Sequence, residues 1–331
     1  MLSAVLVLVI LLALCFDFIN GFHDTANSIA TSVSTRVLSP FQAIVMAAFL
    51  NFAGAMYSVQ VATTIAKGLV NGVLPQYILI AAISAAIVWD LITWYYGIPS
   101  SSSHALIGGL VGASLMYAAN LHVIKWSGVW YKVILPLISS PFLGFILGFI
   151  LMKFLFFLLK PFSQRQVNQW FSKLQILSAA FMAFEHGRND AQKSMGIITL
   201  ALISAGIIQA EAGIPWEVKI ACAMAMALGT SVGGWRIIKT MGVNMIRLQP
   251  INGFAAETGA ALVISTASAI GAPVSTTHVI SSAIMGVGAS KRLSAVRWAL
   301  AKNIVWAWIF TIPVSALLGA IISFGLGFIF H

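Results

Sequence analysis

Charge is what this chain has least of. Only 8% of its 331 residues are charged, and just eight of those are acids. A soluble domain of this length needs a charged surface, so the scarcity excludes one soluble domain or several joined by linkers. Cysteine is nearly absent as well. Cys15 and Cys222 lie in apolar segments and read as reduced packing residues, which excludes a disulfide framework or a cysteine metal site. No basic stretch precedes the first apolar run, which argues against a cleaved secretory leader, and Leu2 to Phe16 reads as the start of a retained span. No His-Glu-x-x-His string occurs, and the strings that combine serine with histidine are duplicated almost evenly where a catalytic nucleophile is usually singular, which argues against an enzyme. The formal net charge of +10 comes without a basic patch interleaved with polar and aromatic residues, so no nucleic-acid partner is expected.

What is abundant is apolar length. Hydrophobic residues make up 60% of the chain and recur in runs of about 20, the length that spans a bilayer. The fold class expected is an all-α polytopic membrane protein of about ten segments. They fall at 2–34, 40–66, 74–98, 100–119, 129–159, 174–209, 216–238, 248–270, 274–290 and 296–328. The first and sixth are too long for one straight helix and are expected to break at their polar residues. The fourth and ninth are short and glycine-rich, as in re-entrant or broken helices. Lysine and arginine concentrate in alternate loops. Arg36, Lys160, Arg165, Lys173, Arg236, Lys239, Arg247, Lys291 and Arg292 lie on one side, and Lys67, Lys125, Lys132 and Lys219 on the other. The positive-inside rule then puts the N-terminus outside. Each half has an odd number of crossings, so the chain divides into residues 1–160, a polar cytoplasmic linker 161–173, and residues 174–331 with inverted topology.

Two duplications support that division. Gly97-Ile-Pro-Ser-Ser-Ser-Ser-His104 returns 174 positions later as Gly271-Ala-Pro-Val-Ser-Thr-Thr-His278. Gly21-Phe-His-Asp24 returns 166 positions later as Gly187-Arg-Asn-Asp190. In a carrier built from internal repeats, such paired strings form half-sites facing a shared ligand.

The chemistry follows from residue type. Asp24 and Asp190 each lie mid-span, where a carboxylate costs about 2.5–3.5 kcal/mol and needs a partner, water or a proton. Asn20 and Asn27 flank the first, and Asn189 and Gln192 the second, giving an oxygen-rich nest suited to a small hard cation. Gly21 and Gly187 read as points where the helix unwinds and offers carbonyls. A structural alternative is that Arg188 or Lys193 pairs with Asp190. The proline strings suit the opposite charge. Proline favours a helix start, and the free N–H groups of a first turn bind oxyanions. Ser101, Ser102 and Ser103 with Ser275, Thr276 and Thr277 form a donor set for one tetrahedral oxyanion. The alternative is hydroxyls bonded back to their own helices. His23 beside Asp24, with His104 and His278, are candidates for a proton relay. Glu257 is an expected accessory cation ligand, Asp17 a neighbour of the Asp24 cavity and Asp90 a structural residue. No catalytic residue, resident metal or cofactor is nominated.

At these strings the chain resembles the inorganic phosphate transporter (PiT) family, in the form of a bacterial low-affinity phosphate permease. Asn20-Gly-Phe-His-Asp-Thr-Ala-Asn27, His186-Gly-Arg-Asn-Asp-Ala-Gln-Lys193 and the two proline strings look like its signature segments. The resemblance implies an inverted-repeat fold and import of inorganic phosphate by symport with protons or sodium across a bacterial cytoplasmic membrane. His23 stands where many members have Asn, and that form looks like a proton-coupled branch taking phosphate as a neutral metal complex. Sulfate permeation on the same scaffold and a passive anion channel are the alternatives. Homo-oligomer formation is left open.

Overall fold

A computed structural model describes residues 3–330 except Val73 and Ala210. Leu2, where the first span is expected to begin, lies outside the described residues. Fourteen α-helices are described. The first half holds α1 (Ala4–Ser34), α2 (Pro40–Tyr57), α3 (Gln60–Gly68), α4 (Gln76–Tyr96), α5 (Ser102–Ala118), the short α6 (Trp126–Gly128) and α7 (Leu135–Leu158). A π-helical stretch over Val129–Ile134 joins the last two. The second half holds α8 (Gln164–Asp190), α9 (Gln192–Ser204), α10 (Trp216–Val232), α11 (Trp235–Lys239), α12 (Pro250–Ala269), α13 (Thr276–Lys291) and α14 (Trp298–Phe330).

Local chemistry explains the boundaries. Pro40 and Ser39 start α2 with a capping box closed by Gln42, and Ser163 and Gln166 repeat the device on α8. Consequently residues 164–173 of the expected linker are helical. Glycine at positive φ turns the chain before each proline string: Gly97 (φ 66°) caps α4 and Gly271 (φ 70°) follows α12. Pro99 and Pro273 lie just ahead of the helices they are expected to start, so that Ser102, Ser103, Thr276 and Thr277 fall in the first turns. Their helices begin three residues later, capped by Ser101 and Ser275, whose hydroxyls accept from the His104 and His278 amides at 3.3 and 3.2 Å.

Among the described residues, five helical stretches are long and apolar enough to cross a membrane: α1, α2, α4, Trp126–Leu158 and α14. Counting the α10–α11 pair, bent by 62°, makes six. The ten expected segments exceed this number for clear reasons. With 17 and 16 residues, α5 and α13 rise only about 25 Å, less than the hydrocarbon thickness. The helix α8 is polar at both ends, and Asn252 and Glu257 dilute α12. The expected break in the first span is absent, since α1 runs 31 residues without interruption. The sixth segment does break, at Ala191 between α8 and α9.

Apolar side chains gather into two cores. One takes Leu6–Phe16 of α1, Met195–Ala201 of α9, and buried residues of α3, α4, α5 and α10. The other takes Ala26–Ala30 of α1, Met182 and Ala183 of α8, and buried residues of α11, α12, α13 and α14. Thus α1 runs from the first core to the second, and α8–α9 run from the second to the first. Asp17–Asp24 and Glu185–Asp190 lie in the layer between. The helices α5 and α13 leave this layer in opposite directions. Packing is reciprocal across the halves: α1 lies on α10 and α8 on α2, while α5 lies on α14 and α13 on α7.

Candidate functional site

The polar layer brings the two duplicated pairs of strings together. Asp24, from the middle of α1, receives Ser102 Oγ on Oδ2 at 3.4 Å and Thr277 Oγ1 on Oδ1 at 3.3 Å. Those two hydroxyls come from the first turns of α5 and α13, so opposite halves meet on one carboxylate. Asp190, at the C-terminal end of α8, receives Thr276 Oγ1 at 3.3 Å. Asn27 Nδ2 donates to both Thr276 and Thr277 Oγ1, at 3.1 and 2.9 Å. Ser103 Oγ donates across to the Val274 carbonyl at 3.1 Å. All of these side chains are buried, with Asp24 2% exposed and Asp190 not at all. The centre is closed toward both ends of the molecule.

Each carboxylate has a basic neighbour. His23 Nδ1 lies 2.7 Å from Asp24 Oδ1, and its Nε2 lies 3.0 Å from Thr93 Oγ1, which accepts from Ser100 Oγ at 2.8 Å. Lys193 Nζ lies 2.9 Å from Asp190 Oδ2, and His186 Nε2 approaches the same oxygen at 3.5 Å. Arg188 does not pair with Asp190; it turns back to Glu185 at 3.2 Å. One ligand atom from each of Asp24, His186 and Asp190 lies within 4.8 Å of the others, spacing that fits a cation between two carboxylates and an imidazole.

The other nominated residues divide. Asn20 is fully buried and neither of its amide atoms has a hydrogen-bond partner among the described residues, nor has Asn27 Oδ1. Asn189 lies 2.9 Å from Ser268 Oγ, beside Asp190. Ser101 and Ser275 serve as helix caps at the edge of the cluster. The rings of His104 and His278 approach to 4.8 Å between centroids, and His278 stacks on Trp308 at 4.0 Å. Trp308 in turn donates to the Pro99 carbonyl at 3.0 Å, tying α14 to the first proline string. Glu257 hydrogen-bonds one turn further along α1 than Asn27. Thr31 and Ser178 donate to its two oxygens and Gln175 Nε2 donates at 3.2 Å, so its hydrogen bonds are made by α1 and α8. Asp17 lies near Lys193, Ser194 and Cys222, and Asp90 near Asp24 and Ser102.

Comparison with known proteins now bears on this geometry. The sequence profile of the phosphate transporter family matches residues 20–319, which takes in all four strings. The chain belongs to the phosphate transporter family. Two relatives described as probable low-affinity inorganic phosphate transporters are similar over almost their whole length. The one from Bacillus subtilis (strain 168) is 50% identical over 98% of each chain, and the one from Rhizobium meliloti (strain 1021) is 48% identical over 96% of each. A solved structure described as the sodium-dependent phosphate transporter superposes with a TM-score of 0.87 at 25% identity, covering 99% of this chain and 100% of that one. The family is one of transporters, not of enzymes.

Two further residues join this cluster in the structure: His186, which opens the second aspartate string, and Lys193, which the sequence offers only as a helix-pairing partner of Asp190. The signal for His186 was present: its position in the second string is that of Asn20 in the first.

Proposed function

We propose that this chain is a secondary active importer of inorganic phosphate in a bacterial cytoplasmic membrane, driven by symport of a cation. The observation that carries the reading is the meeting of Ser102 and Thr277, from opposite halves, on the single carboxylate of Asp24. Phosphate bears between one and two negative charges near neutral pH, and a negative-inside potential opposes its import by about 2.3 kcal/mol per charge per 100 mV. Import therefore requires positive companions. Ser102, Thr276 and Thr277 now donate to carboxylates. A cation on those carboxylates weakens their hold on the hydroxyls, which then turn toward the anion with the free N–H groups of α5 and α13. With no cation, the carboxylates keep the hydroxyls and repel phosphate. Obligatory coupling follows from electrostatics.

The same proposal takes the halves as inverted-topology repeats of about ten segments, divided near 161–173, that rock about the polar layer. The opposite directions of α1 and α8–α9 between the two cores support this. A cavity of about 750 Å³ lined by Arg247, Lys291, Arg292 and Arg297 at the second-core end supports reading that end as cytoplasmic. A second reading, that phosphate enters together with a divalent metal as joint cargo, is favoured by the clustering of Asp24, His186 and Asp190.

Uptake of radiolabelled phosphate into proteoliposomes, with sodium, proton and divalent-metal gradients imposed one at a time, tests both. Accumulation driven by one of these gradients is expected. Uptake that ignores all three identifies a passive anion channel, and efficient competition by sulfate identifies a sulfate permease.

A further inference from the structure

The two aspartate strings are not equivalent. Aligned on their glycine and aspartate, they set Asn20 opposite His186, His23 opposite Asn189, and Asn27 opposite Lys193. The last exchange replaces a neutral amide with a full positive charge at a corresponding position of the polar layer. Lys193 is 1% exposed, near the middle of a chain with 8% charged residues, and its ammonium sits 2.9 Å from Asp190. Among the described residues no ammonium lies within ion-pair distance of Asp24. Its ion-pair partner among the described residues is His23, and Asn27 is engaged with Thr276 and Thr277 instead.

A buried lysine is costly to hold in a membrane unless its charge is matched. Asp190 matches it, with Asp17 and Asp24 also within electrostatic reach. Around Asp190 the remaining neighbours are Thr276 Oγ1 at 3.3 Å, the His186 imidazole at 3.5 Å and the Asn189 amide beside it. Without the lysine, the free carboxylate with its hydroxyl and imidazole neighbours would leave a place for a cation.

We infer that the Lys193 ammonium is a tethered counter-ion standing where a mobile cation would otherwise bind at Asp190, so that soluble cations are taken only on the Asp24 side of the centre. The inference rests on the symport reading for what the cation is coupled to, but the charge at Asp190 can be probed without transport. It makes Lys193 a specificity-determining residue. The number of cations carried per anion falls by one relative to a centre with an amide in that place. The attraction for the anion on this side becomes permanent and independent of the external salt.

The test restores the amide of the other repeat. Thermal stability of detergent-purified Lys193→Asn is measured in sodium chloride against choline chloride at constant ionic strength, beside wild type, Lys193→Arg and Asp190→Asn/Lys193→Asn. Expected is a saturable, sodium-dependent rise in melting temperature in Lys193→Asn that exceeds any in wild type and disappears in the double variant. In proteoliposomes the same variant should lose roughly 100-fold in initial phosphate uptake without sodium and regain it as sodium is added, while Lys193→Arg stays sodium-independent on this side. A folded Lys193→Asn with no extra sodium response overturns the inference. So does a Lys193→Asn that cannot be recovered folded at any sodium concentration while the double variant folds normally, since that marks the lysine as a helix-pairing residue alone. Wild type that fails to move phosphate, combined with a sodium response gained by Lys193→Asn, overturns the proposed function and leaves the tethered charge standing.

Discussion

Asp24 and the hydroxyls around it make the sharpest predictions at the scale of single residues. Asp24→Asn keeps the shape and the hydrogen-bond acceptor but removes the charge that a coupling cation would neutralise. Accumulation of labelled phosphate against its gradient should vanish while the protein still inserts and elutes as one species. Normal accumulation would remove the cation from the mechanism. Ser102→Ala and Thr276→Ala each delete one hydroxyl that the proposed function assigns to the anion. A hydrogen bond to a charged group contributes about 1.5–3 kcal/mol, so the phosphate concentration for half-maximal uptake should rise about tenfold or more, with a smaller change in the cation requirement. Ser101→Ala is the contrast. Its hydroxyl caps α5 by accepting from the His104 amide, and its loss should cost about 1 kcal/mol of stability with a smaller effect on affinity. Equal effects of Ser101→Ala and Ser102→Ala on affinity would refute that division of labour. These acids and hydroxyls were legible in sequence because polar side chains stand out in apolar runs and repeat with constant spacing. The partner of Asp190 was not decided there, because Lys193 and Arg188 both lie within one turn and only the rotation of α8 and the start of α9 selects between them. The partners of Glu257 were equally hidden, since its three donors come from α1 and α8, far away in the chain.

Between residues and fold lies the helix, and here glycine has a different role from the one its position suggested. Gly21 and Gly187 read as places for unwinding. In the structure both are inside continuous helix, and both are points of close approach. A methyl group on Gly21 would collide with the Met226 carbonyl of α10, and one on Gly187 with the Asn51 carbonyl of α2. The facing glycines answer in kind, since Gly229 meets the Phe18 carbonyl and Gly54 the Phe184 carbonyl. Two crossings, α1 on α10 and α8 on α2, are thereby held at backbone contact, as small residues allow in membrane helix packing. Each crossing fixes the height at which its aspartate enters the polar layer. A glycine lowers helix propensity by about 1 kcal/mol whichever job it does, so the sequence carries the same signal for a break and for a close crossing. Gly229→Val should therefore push α10 from α1, destabilise the protein by about 1–3 kcal/mol and impair uptake together. Gly325→Ala, where an added methyl meets nothing within 4 Å, should leave melting temperature and uptake at wild-type values or slightly above. Equal melting temperatures for wild type and Gly229→Val would show that the crossing tolerates separation.

For the molecule as a whole, the governing fact is that two apolar cores sandwich one polar layer and that α1 and α8–α9 cross it in opposite directions. The membrane class and the duplication were readable from composition and from four strings. The partnership between halves was not, because a repeat in sequence does not say whether its copies stand side by side or interlock. Here they interlock: the first long helix of each half packs on an element of the other. The excess of expected spans has a related cause. Length and hydropathy count apolar runs, but α5 and α13 begin in the polar layer itself and need reach only one face. That arrangement has a mechanical consequence. If access alternates as proposed, the core holding α5 moves against the core holding α13, and the contact to be broken is the one where their proline strings meet. Ser103 Oγ lies 3.1 Å from the Val274 carbonyl at that seam. Cysteines at both positions, in a background with Cys15→Ser and Cys222→Ala, should form a disulfide on oxidation. The oxidised protein should bind no external phosphate and carry none across proteoliposome membranes, and a reductant should restore both. Undiminished uptake by fully cross-linked protein would mean that the seam stays closed throughout transport, and the alternation of access would then have to occur elsewhere than between the two cores.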